Sequence, residues 1–339
     1  MRFQLLGKSG LRVSEIALGT MTFGEDWGWG ASKEESQAMF NLFVESGGNF
    51  IDTSVNYTNG SSEAFLGEFI QPDRQRFVIA TKYSLSRDWD DPNAGGNSRK
   101  NMQASVEASL RRLRTDYIDL YYLHAWDYLT PVEEVMRGLD DLVRSGKVLY
   151  IGISDTPAYV AAQANTLAEL RGWVQFISLQ VPYSLADRAV ERELIPMGRD
   201  FGLTLTPWGL LEGGLLTGKF ASPNPDARRI GEQVQISEPV QRILKALGEV
   251  AAESGRSPAQ AAINWVRQNP QLPVIPILGA RTTRQLADNL AALEWRLTPE
   301  QYQKLDEASQ IALGFPHDFL PGNKYLFGNT YDRIDRRSR

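Results

Sequence analysis

The chain has 339 residues, 42% hydrophobic and 23% charged, the balance of an ordinary water-soluble globular protein with a substantial core. Lys and Arg number 36 against 41 Asp and Glu, so the net charge of −5 leaves no basic footprint for nucleic acid. There are no cysteines and only two histidines, His124 and His317, which excludes disulfides, thiol nucleophiles and iron–sulfur clusters and nearly excludes a multi-histidine metal site.

The first ten residues carry Arg2 and Lys8 but no long apolar run, so they do not read as a signal peptide. No stretch reaches the ~18 apolar residues of a membrane span. The expectation is a cytoplasmic protein without membrane contact. Residues 3–6 and 11–14 flank the Gly7–Gly10 turn as a hairpin. After Glu15–Gly19, short β-branched runs at 49–52, 77–82, 117–123, 147–153, 175–180, 203–207 and 273–278 predict buried strands. Helical patterns lie between them: Val132, Val135, Met136, Leu139, Leu142 and Val143 recur at three- and four-residue steps. Ser32 with Glu35, Thr130 with Glu133, Ser257 with Gln260 and Thr298 with Gln301 fit the capping box. Pro131, Pro258 and Pro299 follow their caps, where a missing N–H costs nothing, and Thr156–Pro157 marks a start without the box. Gly47 and Gly146 stand where helices stop. The segment Tyr331 to Arg339 reads as a solvated basic tail.

Eight strand–helix alternations without a linker predict an α/β fold, a closed (β/α)8 TIM barrel, with the hairpin plugging its N-terminal end. The expected organisation is one domain over residues 1–339 with a C-terminal tail from about 313. Residues 24–31, 87–101 and 209–237 break the rhythm. Each follows a strand, which in a barrel places it on the C-terminal face where active sites are built.

Several motifs fail. G-x-G-x-x-G is absent, so a nicotinamide cofactor would not bind in the Rossmann manner. Gly213 to Lys219 satisfies G-x4-G-K, but Phe220 stands where Ser or Thr must reach a magnesium ion. No G-x-S-x-G elbow supports a serine hydrolase, while a glycosidase carboxylate pair is not excluded by counting alone.

Four residues at predicted strand ends converge on one face: Asp52, Tyr57 in the following loop, Lys82 and His124. A free tyrosine, with a pKa of about 10, is a poor acid at neutral pH. An adjacent Lys82 ammonium would lower that value, and Asp52 would partner the buried lysine. His124 would hydrogen-bond a carbonyl oxygen. Spacing alone does not identify the reaction.

The same residues carry a resemblance. LLGKSGLRVSEIALGTMTFG, FIDTSVNY (50–57), IATKYS (79–84), DYIDLYYLHAWD (116–127), SGKVLYIGIS (145–154), GLLTGKF (214–220) and IPILGARTTRQLADNL (275–290) occur in order. The chain resembles the aldo-keto reductase superfamily, particularly the bacterial branch related to potassium-channel β subunits. The resemblance implies a barrel that binds NADPH (NADP+) and reduces aldehydes or ketones. It makes Asp52, Tyr57, Lys82 and His124 the catalytic tetrad, with Tyr57 the acid. Gln180 would bind the nicotinamide carboxamide and Trp208 stack on its ring. Gly209, Leu211, Gly213 and Lys219 would cross the pyrophosphate, and Gly279, Arg281, Gln285 and Asn289 would contact the adenosine phosphate. Gly19, Thr20, Asp52, Ser154 and Asp155 complete the implied cofactor set. Asp155 departs from the family's common Asn, and an ionised aspartate only accepts hydrogen bonds. An arginine beside a helix N-terminus suits a 2′-phosphate.

Trp27, Trp29, Tyr83, Trp89 and Trp126 are the expected walls of an apolar carbonyl pocket. The implied partner is a small carbonyl compound, with no metal; the oligomeric state is open, and a monomer is compatible with the sequence. Two alternatives remain: a nicotinamide-binding regulatory subunit like the channel β subunits, and a barrel hydrolase or isomerase.

Overall fold

A computed structural model describes residues 1–218, 236–320 and 324–334. Strands β1 (Phe3–Leu5) and β2 (Arg12–Ser14) form the predicted antiparallel hairpin. Eight parallel strands follow: β3 (Ala17–Gly19), β4 (Phe50–Asp52), β5 (Val78–Tyr83), β6 (Ile118–Leu123), β7 (Val148–Ser154), β8 (Phe176–Gln180), β9 (Thr204–Leu205) and β10 (Ile277–Gly279). They pair in sequence order, with β10 beside β3. The barrel closes between β9 and the chain leading into β10. There Leu205 N–H donates to Pro273 O, and Ile275 and Ile277 N–H donate to Leu205 O and Pro207 O at 2.8–2.9 Å. The predicted strands at 203–207 and 273–278 are therefore shorter than expected. Pro207, Pro273 and Pro276 lack the N–H that a continuous ladder needs.

The helices between strands are α1 (Lys33–Glu45), α2 (Ser61–Phe69), α3 (Arg99–Leu113), α4 (Val132–Arg144), α5 (Ala158–Arg171) and α6 (Leu194–Phe201), then α7 (Glu238–Ser254), α8 (Pro258–Arg267) and α9 (Thr283–Leu290). α10 (Pro299–Ala308) and the short α11 (Lys324–Phe327) end the chain. Lys304 of α10 bridges Glu249 and Glu253 of α7, pinning these two helices together outside the strand–helix rhythm. Among the described residues no helix is long and apolar enough to cross a membrane.

Strand parity divides the core in two. Phe50, Val78, Ala80, Leu120 and Tyr122 point into the barrel and pack on Leu6, Val13 and Ile275. Ile51, Ile79, Tyr83, Tyr121 and Leu123 point outward beneath the helices. Gly152 makes room for one interior ring, since a Cβ there would lie 2.3 Å from Tyr122. The hairpin closes the N-terminal end: Gly7 N–H donates to Thr204 Oγ1 at 2.7 Å, and Gln4 Nε2 to Val274 O at 3.0 Å. Gly7 is left-handed (φ +56°) and lies so close to Ile177 O that no Cβ fits.

The four predicted capping boxes differ in outcome. Thr298 and Gln301 form the full reciprocal box. Ser32 and Ser257 cap their helices, but the partner side chains are engaged elsewhere. Glu35 accepts from Thr283 N–H (2.5 Å) and Oγ1 (2.7 Å), and Gln260 donates to Asp288. Thr130 forms no cap. Its hydroxyl donates to Asp127, and α4 starts after Pro131. The Thr156–Pro157 start likewise lacks a side-chain cap, because Thr156 donates back to Ser154 O.

Candidate active site

Period-two alternation places Asp52, Lys82, Ser154 and Gln180 on the inward parity of their strands, and His124 one step beyond β6 in the same phase. Lys82 is completely buried. Its ammonium donates to Asp52 Oδ2 at 2.6 Å, to Thr53 O at 2.7 Å and to Tyr57 Oη at 3.1 Å. Gln180 Nε2 donates to the other carboxylate oxygen of Asp52 at 2.8 Å. Every proton of the lysine and both oxygens of the aspartate are thus directed.

Tyr57 is held by a strained loop. Thr58, Asn59 and Gly60 are all left-handed (φ 44°, 54° and 97°), an unusual conformation for a β-branched threonine. Compensation comes from Thr58 Oγ1, which donates to Phe23 O at 2.6 Å and accepts from Ser62 N–H. Arg112 donates to Val55 O on the same loop and pairs with Glu63, a buried carboxylate that also accepts from Thr81.

Burial alone would favour a neutral lysine, but the Asp52 carboxylate and Tyr57 outweigh it and hold the Lys82 pKa above its ordinary value. Burial pushes the Tyr57 phenol up; Lys82 pulls it down and Asp52 adds to the rise, leaving it above 10. The expected lowering of Tyr57 is therefore corrected: Lys82 acts in that direction, and desolvation exceeds it. His124 is pushed well below its usual range by burial and then by Lys82's charge, so its ring is neutral. Its Nδ1 lies 3.2 Å from Ser54 Oγ, and its ring sits edge-on to Tyr57 at 6.0 Å.

The aromatic positions separate. The loop at 24–31 is pinched at its neck, where Gly24 and Ala31 pair, and presents Trp27 edge-on to Tyr57 at 6.4 Å. Trp29 packs on Trp27 at 5.7 Å. Trp126 is half-buried against the core. Tyr83 does not wall the pocket: it has the opposite parity to Lys82, is fully buried and stacks on Tyr121. Trp89 is 93% exposed and contributes no wall either.

The remaining cofactor candidates line one rim. Gly19 pairs with Asp52, and Thr20 is buried with its hydroxyl donating to Asp52 O. Ser154 Oγ is buried without a hydrogen-bond partner among the described residues. Asp155 has a positive φ of 31°. The pocket walls push its carboxyl pKa up although the residue is partly exposed, with Lys82's charge opposing. Trp208 is 43% exposed and continues into the left-handed Gly209, then Leu211 and the left-handed Gly213. Lys219 lies outside the described residues. Gly279 ends β10, Asn289 is buried on α9, and Gln285 accepts from Arg281 N–H at 3.0 Å. The Arg281 guanidinium makes no hydrogen bond or ion pair among the described residues. Among those residues no group of His, Asp and Glu is placed to hold a metal.

Sequence reasoning missed Ser54, Thr53 and the Glu63–Arg112 pair, and did not foresee that Gln180 binds Asp52. Strand parity, applied to Lys82 and Tyr83, was the signal that would have removed Tyr83.

Residues 15–310 match the Aldo/keto reductase family. The chain belongs to that family. Among its relatives, norsolorinic acid reductase B of Dothistroma septosporum is 39% identical over 337 residues, covering 95% of this chain and 85% of the relative. The aryl-alcohol dehydrogenase [NADP(+)] of Phanerodontia chrysosporium is 39% identical over 356 residues, covering 97% and 89%. The norsolorinic acid reductase of Aspergillus flavus is 37% identical over 329 residues, covering 93% and 83%. As an aldo/keto reductase with dehydrogenase and reductase relatives, the chain is an oxidoreductase.

Proposed function

We propose that this aldo/keto reductase, as one barrel domain, uses NADPH to reduce aromatic aldehydes or ketones, with Tyr57 as the general acid. The observation that carries the reading is the Lys82 ammonium, which donates to both Asp52 and the Tyr57 oxygen. Because the lysine donates to that oxygen, the phenol's own hydrogen is free to point at a bound carbonyl. Its raised pKa keeps it protonated at neutral pH, the state an acid needs. As the proton leaves, the phenolate forms against a fixed ammonium, and Asp52 and Gln180 keep that ammonium in place.

The residues on the rim fit a nicotinamide cofactor. The unpartnered Ser154 hydroxyl and the exposed Trp208 face follow β7 and β9, on either side of the Gln180 strand end, and the unpaired Arg281 stands at the N-terminus of α9. Ser154, Asp155 and Gln180 would hold the carboxamide, Trp208 the ring and Arg281 the 2′-phosphate. Bound NADPH would supply the hydride. Trp27 and Trp29 beside Tyr57 favour an aromatic substrate, in keeping with a relative named for aryl alcohols. The test is absorbance at the reduced-cofactor band with a panel of aromatic and aliphatic carbonyls and both NADPH and NADH. Turnover with NADPH and aromatic aldehydes is expected; no carbonyl-dependent oxidation across the panel contradicts the reading.

A further inference from the structure

Tyr57 sits inside a loop, residues 53–60, that ends on the left-handed Thr58, Asn59 and Gly60. Such a conformation persists only where the surroundings impose it. Thr58 ties the loop to Phe23 on one side, and on the other a single side chain reaches both of its ends. Arg112, on the last turn of α3, donates from Nη1 to Val55 O at 2.7 Å, just before Tyr57 in the chain. Its guanidinium also lies against Gly60, just after Tyr57. A Cβ on Gly60 would stand 2.4 Å from Cζ, 2.6 Å from Nη1 and 2.7 Å from Nε, nearly equal distances that put this glycine over the guanidinium face.

The same Nη1 reaches Glu63 Oε2 at 3.3 Å, and the other oxygen of Glu63 accepts from Thr81 Oγ1 at 2.7 Å. Glu63 is completely buried, and Thr81 precedes Lys82 on β5. Through Glu63, Arg112 is therefore tied to the strand that carries the lysine. We propose that Arg112 is a positioning residue for Tyr57: held to β5 by Glu63, it grips the loop at Val55 and Gly60 and keeps the phenol oxygen within hydrogen-bond reach of Lys82. The grip uses the flat face and the donors of a planar fork together, which the single ammonium of a lysine does not supply. The effect on turnover, though not the placement of the ring, rests on reading Tyr57 as the proton donor.

The placement is read without turnover. In the full chain labelled with 13Cζ-tyrosine, the Tyr57 signal is the one missing from Tyr57→Phe, and it senses the hydrogen bond from Lys82. Arg112→Met combined with Glu63→Gln removes the grip without leaving a buried carboxylate unpaired. Arg112→Lys keeps a cation beside Glu63 and is the second variant should the first fail to fold. The Tyr57 signal is expected to move in both; an unmoved signal in a folded variant overturns the proposal. With NADPH and an aromatic aldehyde, kcat should fall about a hundredfold in the double variant, the scale of a reacting group misplaced by about 1 Å, and about tenfold in Arg112→Lys. The NADPH affinity from tryptophan quenching should stay nearly unchanged. In the Tyr57→Phe background the same substitutions should change kcat less than about threefold, because the hydroxyl they place is gone. An equal fall in both backgrounds marks a general distortion and overturns the proposal. Should the signal move and kcat hold, the Arg112 assignment stands and the reading of Tyr57 as the acid fails.

Discussion

At each end of β5 a cation–carboxylate pair is held in the barrel wall, and only one of these two makes a site. At the N-terminal end Arg74 donates to Asp119 Oδ2 at 2.7 Å, and its other donors reach Thr115, Phe77 O and Tyr117 O at 3.0 Å. Asp119 also accepts from Ile79 N–H at 3.0 Å. Four of the five guanidinium N–H groups are engaged with the protein, so the pair clamps loop to strand and faces no pocket. At the C-terminal end Lys82 makes the same kind of bond to Asp52, but one of its protons goes to Tyr57, whose own hydroxyl hydrogen remains free. An ion pair becomes chemical machinery when one bond is left to a titratable group that faces the pocket.

Breaking the upper pair should have the largest effect. Lys82→Met removes the charge that opposes burial at Tyr57 and strands Asp52 without its cation. Turnover should fall ~10²–10⁴-fold, and stability by ~3–5 kcal/mol in denaturant unfolding. Lys82 lowers the Tyr57 pKa, so the basic limb of the pH–rate profile should move to higher pH. An unmoved limb removes Lys82 from its role. Arg74→Met should lower stability by about 3 kcal/mol and leave kcat per folded molecule unchanged. A loss of kcat there would erase the contrast between the two ends.

Smaller effects sharpen the picture of the upper face. Arg281→Ala should abolish a ten- to hundredfold preference for NADPH over NADH, about 1.5–3 kcal/mol of charged hydrogen bonding, with NADH binding little altered. Quenching of tryptophan fluorescence by each cofactor measures this; equal affinities in the unaltered protein contradict it. His124 titrates lower in the folded than in the unfolded chain, so the stability it confers is present above ~6.5 and lost as pH falls below that value. At pH 5.5 the loss should be about 1.4 kcal/mol, and His124→Gln should flatten that acid slope. An unchanged slope would mean that His124 is not held neutral.

Much of this was legible in the sequence because it depends on periodicity. Short apolar runs alternating with helical patterns predict the eight strands, and the strand ends bring Asp52, Lys82 and His124, with Tyr57 in the following loop, to one face, while Gln180 enters only through the family resemblance. What stayed hidden depends on long-range partners. Nothing local to Glu35 tells that it caps α9 instead of its own helix, or that Thr130 turns to Asp127. Its place at the C-terminal end of a strand suggests that Tyr83 faces the pocket, but strand alternation points it away. The sign of the net Tyr57 shift depends on desolvation, which no motif reports.

The central claim is that Tyr57 supplies the proton, and Tyr57→Phe removes only its hydroxyl. Turnover of an aromatic aldehyde with NADPH, measured alongside cofactor binding by tryptophan quenching, tests it most directly. The account predicts a kcat reduced ~10²–10⁴-fold with the NADPH affinity nearly unchanged. A variant that keeps more than about a third of the original kcat, a loss far short of what general acid catalysis contributes, would contradict it.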